Sequence, residues 1–168
     1  MASTAMRSRK PRTGANPTRA RMTDASPYGG RHYLVDTSAW IKIGQQPADV
    51  RNVFYGAIRA GQLSVCSIVL LELLRGTHPQ HFDAVQDRFE NVPYRRMTRH
   101  IGRAAVDAQR KLATKRPDGL HRGISPGDFL IAATAQEYVL GVLHCDGDFD
   151  SLSDEDVVSF ESRWITDV

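Results

Sequence analysis

Apolar and polar positions follow two rhythms from Tyr33 onward. Tyr33-Leu34-Val35 is a short apolar run that stops on Asp36, the pattern of a buried strand. From Val50 the apolar set Val50, Val53, Phe54, Ala57 and Ile58 has helical spacing, and Gly61 supplies a stop. Residues 63–66 read as a second strand. Ser67 is placed to cap a helix that runs through Arg75 and ends at Gly76. Phe82, Val85 and Phe89 mark another helix, and residues 92–97 are ambiguous, with a strand one of the readings. Thr98 caps a helix with Ile101, Ala104, Ala105, Ala108 and Leu112 inward. Pro117-Asp118-Gly119 is a turn. Ser125 opens a helix that extends to about Tyr138. Residues 140–144 and 157–160 read as two further strands. Short apolar strands alternating with helices predict an α/β sandwich with a mainly parallel sheet.

The 168 residues suit one main domain, and 41% hydrophobic with 24% charged residues reads as soluble and globular. The longest apolar stretch, 67–74, is interrupted by Glu72 and falls well short of a membrane span. Two cysteines, Cys66 and Cys145, exclude a disulfide scaffold and fit free thiols in the reducing cytoplasm. Charge divides the chain. Residues 1–30 carry six basic side chains and one acidic, which leaves −2 of the net +3 charge for residues 31–168. That first segment lacks large apolar residues, so it is expected to be a disordered basic extension ahead of a domain spanning 31–168. It has no apolar stretch of the secretory kind.

In parallel α/β sheets, ligands bind beyond the carboxyl ends of the strands, which puts weight on the acids there. Asp36 ends the first strand, and as readily caps the segment that follows. Glu72 sits in Ile68-Val69-Leu70-Leu71-Glu72-Leu73-Leu74, a helix apolar on nearly every side. A carboxylate buried there needs either Arg75 or a cation. Asp128 completes Ser125-Pro126-Gly127-Asp128, a capping box with proline at the first helical position, so capping and chemistry both account for it. Asp146, Asp148 and Asp150 follow the strand at 140–144. They are not an EF-hand, because the sixth position is Ser151 and the twelfth Val157. Asp150 reads as part of a solvated acidic turn.

Taken together, Asp36, Glu72, Asp128, Asp146 and Asp148 describe one carboxylate pocket. Several carboxylates in one pocket stay ionised only around a cation. An all-oxygen set selects Mg²⁺ or Mn²⁺ over Zn²⁺ and suits phosphoryl chemistry. Other chemistry is poorly represented, since the chain has neither Gly-x-Gly-x-x-Gly nor a Walker A sequence. His78-Pro79-Gln80-His81 reads as surface loop. A haloacid dehalogenase-type phosphohydrolase would need a second Asp where Ser38 stands, and a late Lys that residues 116–168 lack.

Leu34-Val35-Asp36-Thr37-Ser38-Ala39-Trp40, Leu71-Glu72-Leu73-Leu74-Arg75-Gly76, Asp128-Phe129-Leu130-Ile131-Ala132-Ala133 and His144-Cys145-Asp146-Gly147-Asp148-Phe149-Asp150, in this order, resemble the PIN domain. They are most similar to the VapC toxins of bacterial VapBC toxin–antitoxin pairs. The resemblance covers about residues 32–165. It implies a three-layer α/β sandwich on a five-stranded parallel sheet and a Mg²⁺-dependent endoribonuclease. It also implies metal-ligand roles for Asp36, Glu72, Asp128 and Asp146, with Asp148 a further acid and Thr37 or Ser38 holding a ligand or water. A homodimer and a cognate VapB-like antitoxin follow from the same resemblance. The rival within this fold is an inactive module that only binds RNA or protein. The long basic extension and the extra Asp150 depart from the family pattern.

Residues 95–122 carry nine basic side chains against Asp107 and Asp118. Such a run is either a solvated helix face or a wall that grips RNA phosphates. On the second reading Arg103, Arg110, Lys111, Lys115 and Arg116 hold the substrate.

Overall fold

The computed structural model describes residues 28–167. Its centre is a five-stranded sheet of β1 (Tyr33–Val35), β2 (Leu63–Cys66), β3 (Tyr94–Arg95), β4 (Gly141–His144) and β5 (Ser162–Trp164). The spatial order is β3-β2-β1-β4-β5 and every pairing is parallel. Eight α-helices surround it among the described residues: α1 (Thr37–Gly44), α2 (Ala48–Arg59), α3 (Ser67–Arg75), α4 (Phe82–Phe89), α5 (Arg99–Lys115), α6 (Leu120–Gly123), α7 (Pro126–Glu137) and α8 (Gly147–Asp154).

Alternation along the strands divides the interior into two cores. Leu34, Val65 and Val142 point to one face, where α3, α5, α7 and α8 supply Val69, Ile101, Leu112, Ile131 and Leu152. Tyr33, Val35, Leu63 and Leu143 point to the other, where α1 and α2 supply Ile43, Phe54 and Ala57. The result is the expected three-layer sandwich. Central strands β1, β2 and β4 are buried along their whole length, as strands covered on both faces must be. Gly141 stands opposite Tyr33 in the register, and a Cβ there would lie 2.5 Å from the tyrosine ring. Only glycine admits that ring.

The last strand lies elsewhere than the apolar pattern places it. Val157 and Val158 are buried, but in the loop after α8, where Ser159 N–H bonds the side chain of Gln136. The pairing strand is Ser162–Trp164, half-buried and partly polar. An edge strand needs a partner on one side only and carries polar residues readily, so hydrophobicity points to the wrong segment. The acidic row after β4 is likewise helix, with Phe149 and Leu152 buried at helical spacing. Cys66, not Ser67, occupies the N-cap of α3.

The expected basic extension falls outside the described residues up to residue 27. Tyr28, which the boundary at residue 30 leaves out of the domain, is 1% exposed. Its ring lies 5.7 Å from that of Tyr33, and Arg163 stacks over both.

Candidate active site

Four acids meet at the carboxyl edge of the sheet because four different elements end or begin there. Asp36 follows β1 and is 4% exposed. It caps α1, with its Oδ2 accepting Ser38 N–H at 2.8 Å and Ser38 O–H at 2.5 Å. Ser38 Oγ also accepts Cys145 N–H at 2.8 Å, which ties the end of β4 to the end of β1. Ser38 thus anchors the site rather than standing in for a second nucleophilic acid.

Glu72, on α3, is half-buried rather than fully buried. Its Oε2 accepts Thr37 O–H at 2.5 Å. Its Oε1 faces α7 closely enough that a Cβ on Gly127 would sit 2.6 Å away. It turns toward Thr37 and the start of α7, not toward Arg75.

Asp128 completes the capping box in both directions, with Ser125 N–H on its Oδ2 at 3.1 Å and its own N–H on Ser125 Oγ at 3.2 Å. Burial pushes its carboxyl up to about 6, against the hydrogen bonds from Ser125, and the charges of Asp36 and Asp146 push the same way. Capping and proximity to the other acids therefore coexist in one side chain.

Asp146 is exposed and caps α8, its Oδ1 accepting Asp148 N–H at 3.0 Å. Asp148 is half-buried; desolvation first, then Asp146, raises its carboxyl. Asp150 departs from the solvated turn. It accepts Ser162 O–H at 2.6 Å and Trp164 N–H at 2.7 Å, and so holds β5 to α8. The adjacent His144, fully buried, is lowered from the ordinary imidazole range mainly by desolvation.

The local chemistry explains why these acids tolerate one another. Asp36, Asp128 and Asp146 each sit at a helix start, where the free N–H groups favour negative charge. Each of the four acids accepts a hydrogen bond on one of its oxygens, Glu72 from the Thr37 hydroxyl and the other three from backbone N–H groups. The donor set is all oxygen and suits a hard divalent cation. The carboxyl of Asp128 is raised mainly by burial, with the charges of Asp36 and Asp146 adding to it. Among the described residues no group of three or more His, Cys, Asp or Glu side chains is placed to hold a metal ion. The thiols of Cys66 and Cys145 are free and both are raised by burial, away from thiolate chemistry.

The basic candidates divide into two groups. His100 pairs with Glu137 at 3.4 Å, joining the start of α5 to the end of α7, so the two helices run antiparallel. The second half of α5, with Arg110 and Lys111, therefore lies toward the Asp128 end of α7. Arg116 is paired with Asp118 and Glu155, and Lys115 donates to the Glu155 carbonyl. Arg103, Arg110 and Lys111 are absent from the ion pairs of the described residues.

The model of the PIN domain family matches residues 33–155. Ribonuclease VapC2 of Mycobacterium tuberculosis is 30% identical over 128 residues, covering 73% of this chain and 86% of the relative. The chain belongs to the PIN-domain family, in its VapC-type branch. Ribonuclease VapC18 of the same organism is 29% identical over 123 residues, covering 72% of this chain and 87% of that protein. Among solved structures, the DNA-bound VapBC of Salmonella typhimurium aligns with a TM-score of 0.62 at 17% identity, over 80% of this chain and 98% of that chain. VapBC-5 of Mycobacterium tuberculosis aligns at 0.54 and 19% identity, over 78% and 98%. At such identities the two alignments establish the shared fold. No helix of the described residues is long and apolar enough to cross a membrane.

Proposed function

We propose that this PIN domain is a divalent-metal-dependent endoribonuclease, the toxin of a type II toxin–antitoxin pair. The observation that carries the chemistry is the convergence of Asp36, Glu72, Asp128 and Asp146, from four separate elements, on one sheet edge. Mg²⁺ or Mn²⁺ bound there supplies positive charge for the scissile phosphate and acidifies the attacking water. Asp36 and Asp128 are the buried anchors for the cation. Glu72 and Asp146 complete the donor set, Asp148 stands behind Asp146, and Thr37 and Ser38 hold Glu72 and Asp36 in place. Arg103, Arg110 and Lys111 grip flanking RNA phosphates, with Lys115 and Arg116 shaping that face.

One surface supports a protein partner. A groove of about 730 Å³ runs between α1, α2, α3 and α4, with Trp40, Ile43, Tyr55, Ile58, Leu73 and Phe89 in its wall and Arg51, Arg59 and Arg88 at its rim. Trp40 Nε1 is buried there and finds no acceptor among the described residues. An amphipathic antitoxin helix with acidic flanks fits both features. The homodimer rests on the family resemblance.

The test is cleavage of total cellular RNA by the purified chain. Activity appears with Mg²⁺ or Mn²⁺, disappears in EDTA, and is abolished in Asp36→Asn and Asp128→Asn. Undiminished cleavage in EDTA refutes the metal reading. RNA binding without cleavage under any divalent ion makes the chain a binding module instead.

A further inference from the structure

Directly behind Asp146 lies a buried imidazole that the cleavage scheme leaves idle. His144 ends β4 with 0% of its surface exposed. A buried imidazole needs partners on both nitrogens, and the neutral ring offers one donor and one acceptor. Here the partners settle which is which. Asp146 N–H lies 3.2 Å from Nδ1, and a backbone amide can only donate, so Nδ1 carries a lone pair. Nε2 then bears the proton and donates to Ser162 Oγ at 2.6 Å. The Ser162 hydroxyl proton is directed in turn to Asp150 Oδ1 at 2.6 Å, while Trp164 N–H occupies Asp150 Oδ2 at 2.7 Å. Every donor in this chain has one acceptor and the direction is fixed throughout.

The consequence falls on Asp146. Its side chain is exposed, yet its backbone nitrogen rests on the imidazole and its Oδ1 on Asp148 N–H. The residue is thus held at its backbone nitrogen and at Oδ1. We propose that His144 is a positioning residue for Asp146, its Nδ1 holding the Asp146 amide while Asp150, through Ser162, fixes the tautomer that makes this possible. The proposal rests on the assignment of Asp146 to the cleavage site. It gives Asp150 a task in the site's architecture without contact with RNA or cation. Groups behind ligands commonly matter to a metal site nearly as much as the ligands do.

The first test is ¹⁵N NMR of the imidazole in the full chain. The expected signature is a proton on Nε2 and none on Nδ1; a proton on Nδ1 overturns the proposal outright. The second compares His144→Gln with His144→Asn. Asparagine places an acceptor oxygen near the position of Nδ1, whereas glutamine reaches toward Nε2 and leaves the Asp146 amide unmatched. His144→Gln is expected to weaken Mn²⁺ binding, read by electron paramagnetic resonance without RNA, by about tenfold. Its kcat falls by a similar factor while KM for RNA changes by less than about twofold. His144→Asn restores most of both. Equal losses in the two variants, tracking their losses of thermal stability, make the ring mere packing and overturn the proposal. Asp146→Asn separates the two levels. If it leaves Mn²⁺ binding and cleavage intact, the assignment of Asp146 falls and the proposal with it. If it abolishes both while His144→Gln behaves as wild type, the positioning role alone falls. Should neither His144 variant fold, the tautomer decides.

Discussion

Asp128 carries a helix cap and an acidic site on the same carboxyl, and the two make opposite demands. The cap stabilises the charge through Ser125, while burial and two neighbouring acids oppose it, leaving the group at about 6. In the unfolded chain the same carboxyl titrates near 3.9. Between these values the folded state binds more protons than the unfolded state, so metal-free stability falls as pH rises from about 4 to about 6 and stays low above. The shift corresponds to about 3 kcal/mol. Asp128→Asn keeps a cap-competent oxygen and loses the charge. In urea unfolding with EDTA it should exceed wild type by about 1 to 3 kcal/mol at pH 7.5 and match it only below about pH 4. A difference independent of pH would show that the buried charge carries no penalty. The carboxylate candidates were readable from residue types: Glu72 because an acid is unusual in an apolar helix, Asp36 and Asp128 because they stand at a strand end and a helix start, where ligands of a parallel sheet bind. The partner of Glu72 was not, since nothing in the spacing of residues 37 and 72 announces the bond between Thr37 and Glu72.

At the scale of elements, Gly127 governs how closely α3 approaches α7. A methyl group there would meet Glu72 Oε1 at 2.6 Å and Ser125 Oγ at 3.3 Å. The obstacle is the tip of a flexible side chain, so the fold can yield where the site cannot. Alanine is also the better helix former by up to about 1 kcal/mol. Gly127→Ala should therefore unfold within about 1 kcal/mol of wild type. RNA cleavage should drop by about tenfold as Glu72 swings off Thr37. Adding Glu72→Asp, one methylene shorter, should recover part of the activity, and full activity in Gly127→Ala alone would contradict this account. Helices with a clear apolar stripe, such as α5 with Ile101, Ala105, Ala108 and Leu112, were legible from the pattern. The short α8 and the edge strand β5 were not. In α8 the acids outnumber the apolar pair Phe149 and Leu152, and β5 is chosen by hydrogen bonding to β4 and by Asp150, neither of which leaves a periodic trace.

For the molecule as a whole the question is how a domain of net charge −2 would hold the RNA of the proposed activity. The antiparallel packing of α5 on α7 supplies an answer, because it carries Arg110 and Lys111 toward the acidic end of α7. Arg110→Glu with Lys111→Glu should weaken RNA binding by more than about tenfold at low salt and flatten its salt dependence, measured by filter binding. Removal of residues 1–21 should matter much less. The reverse result would make the extension the RNA-binding arm and leave this face of α5 a solvated surface.

The aspartates at the edge are also helix starters, so the ways in which this chain can fall silent are unequal. Alanine at Asp36, Asp128 or Asp146 removes a charge and a cap together, at about 1 kcal/mol for the cap. Asparagine removes the charge alone. A lineage under pressure to disarm the protein thus has two outcomes. One is an unstable chain that cells degrade. On the proposed pairing with an antitoxin, the other is a folded, abundant copy that cuts nothing yet still occupies that partner, and so changes the balance for every active copy in the same cell.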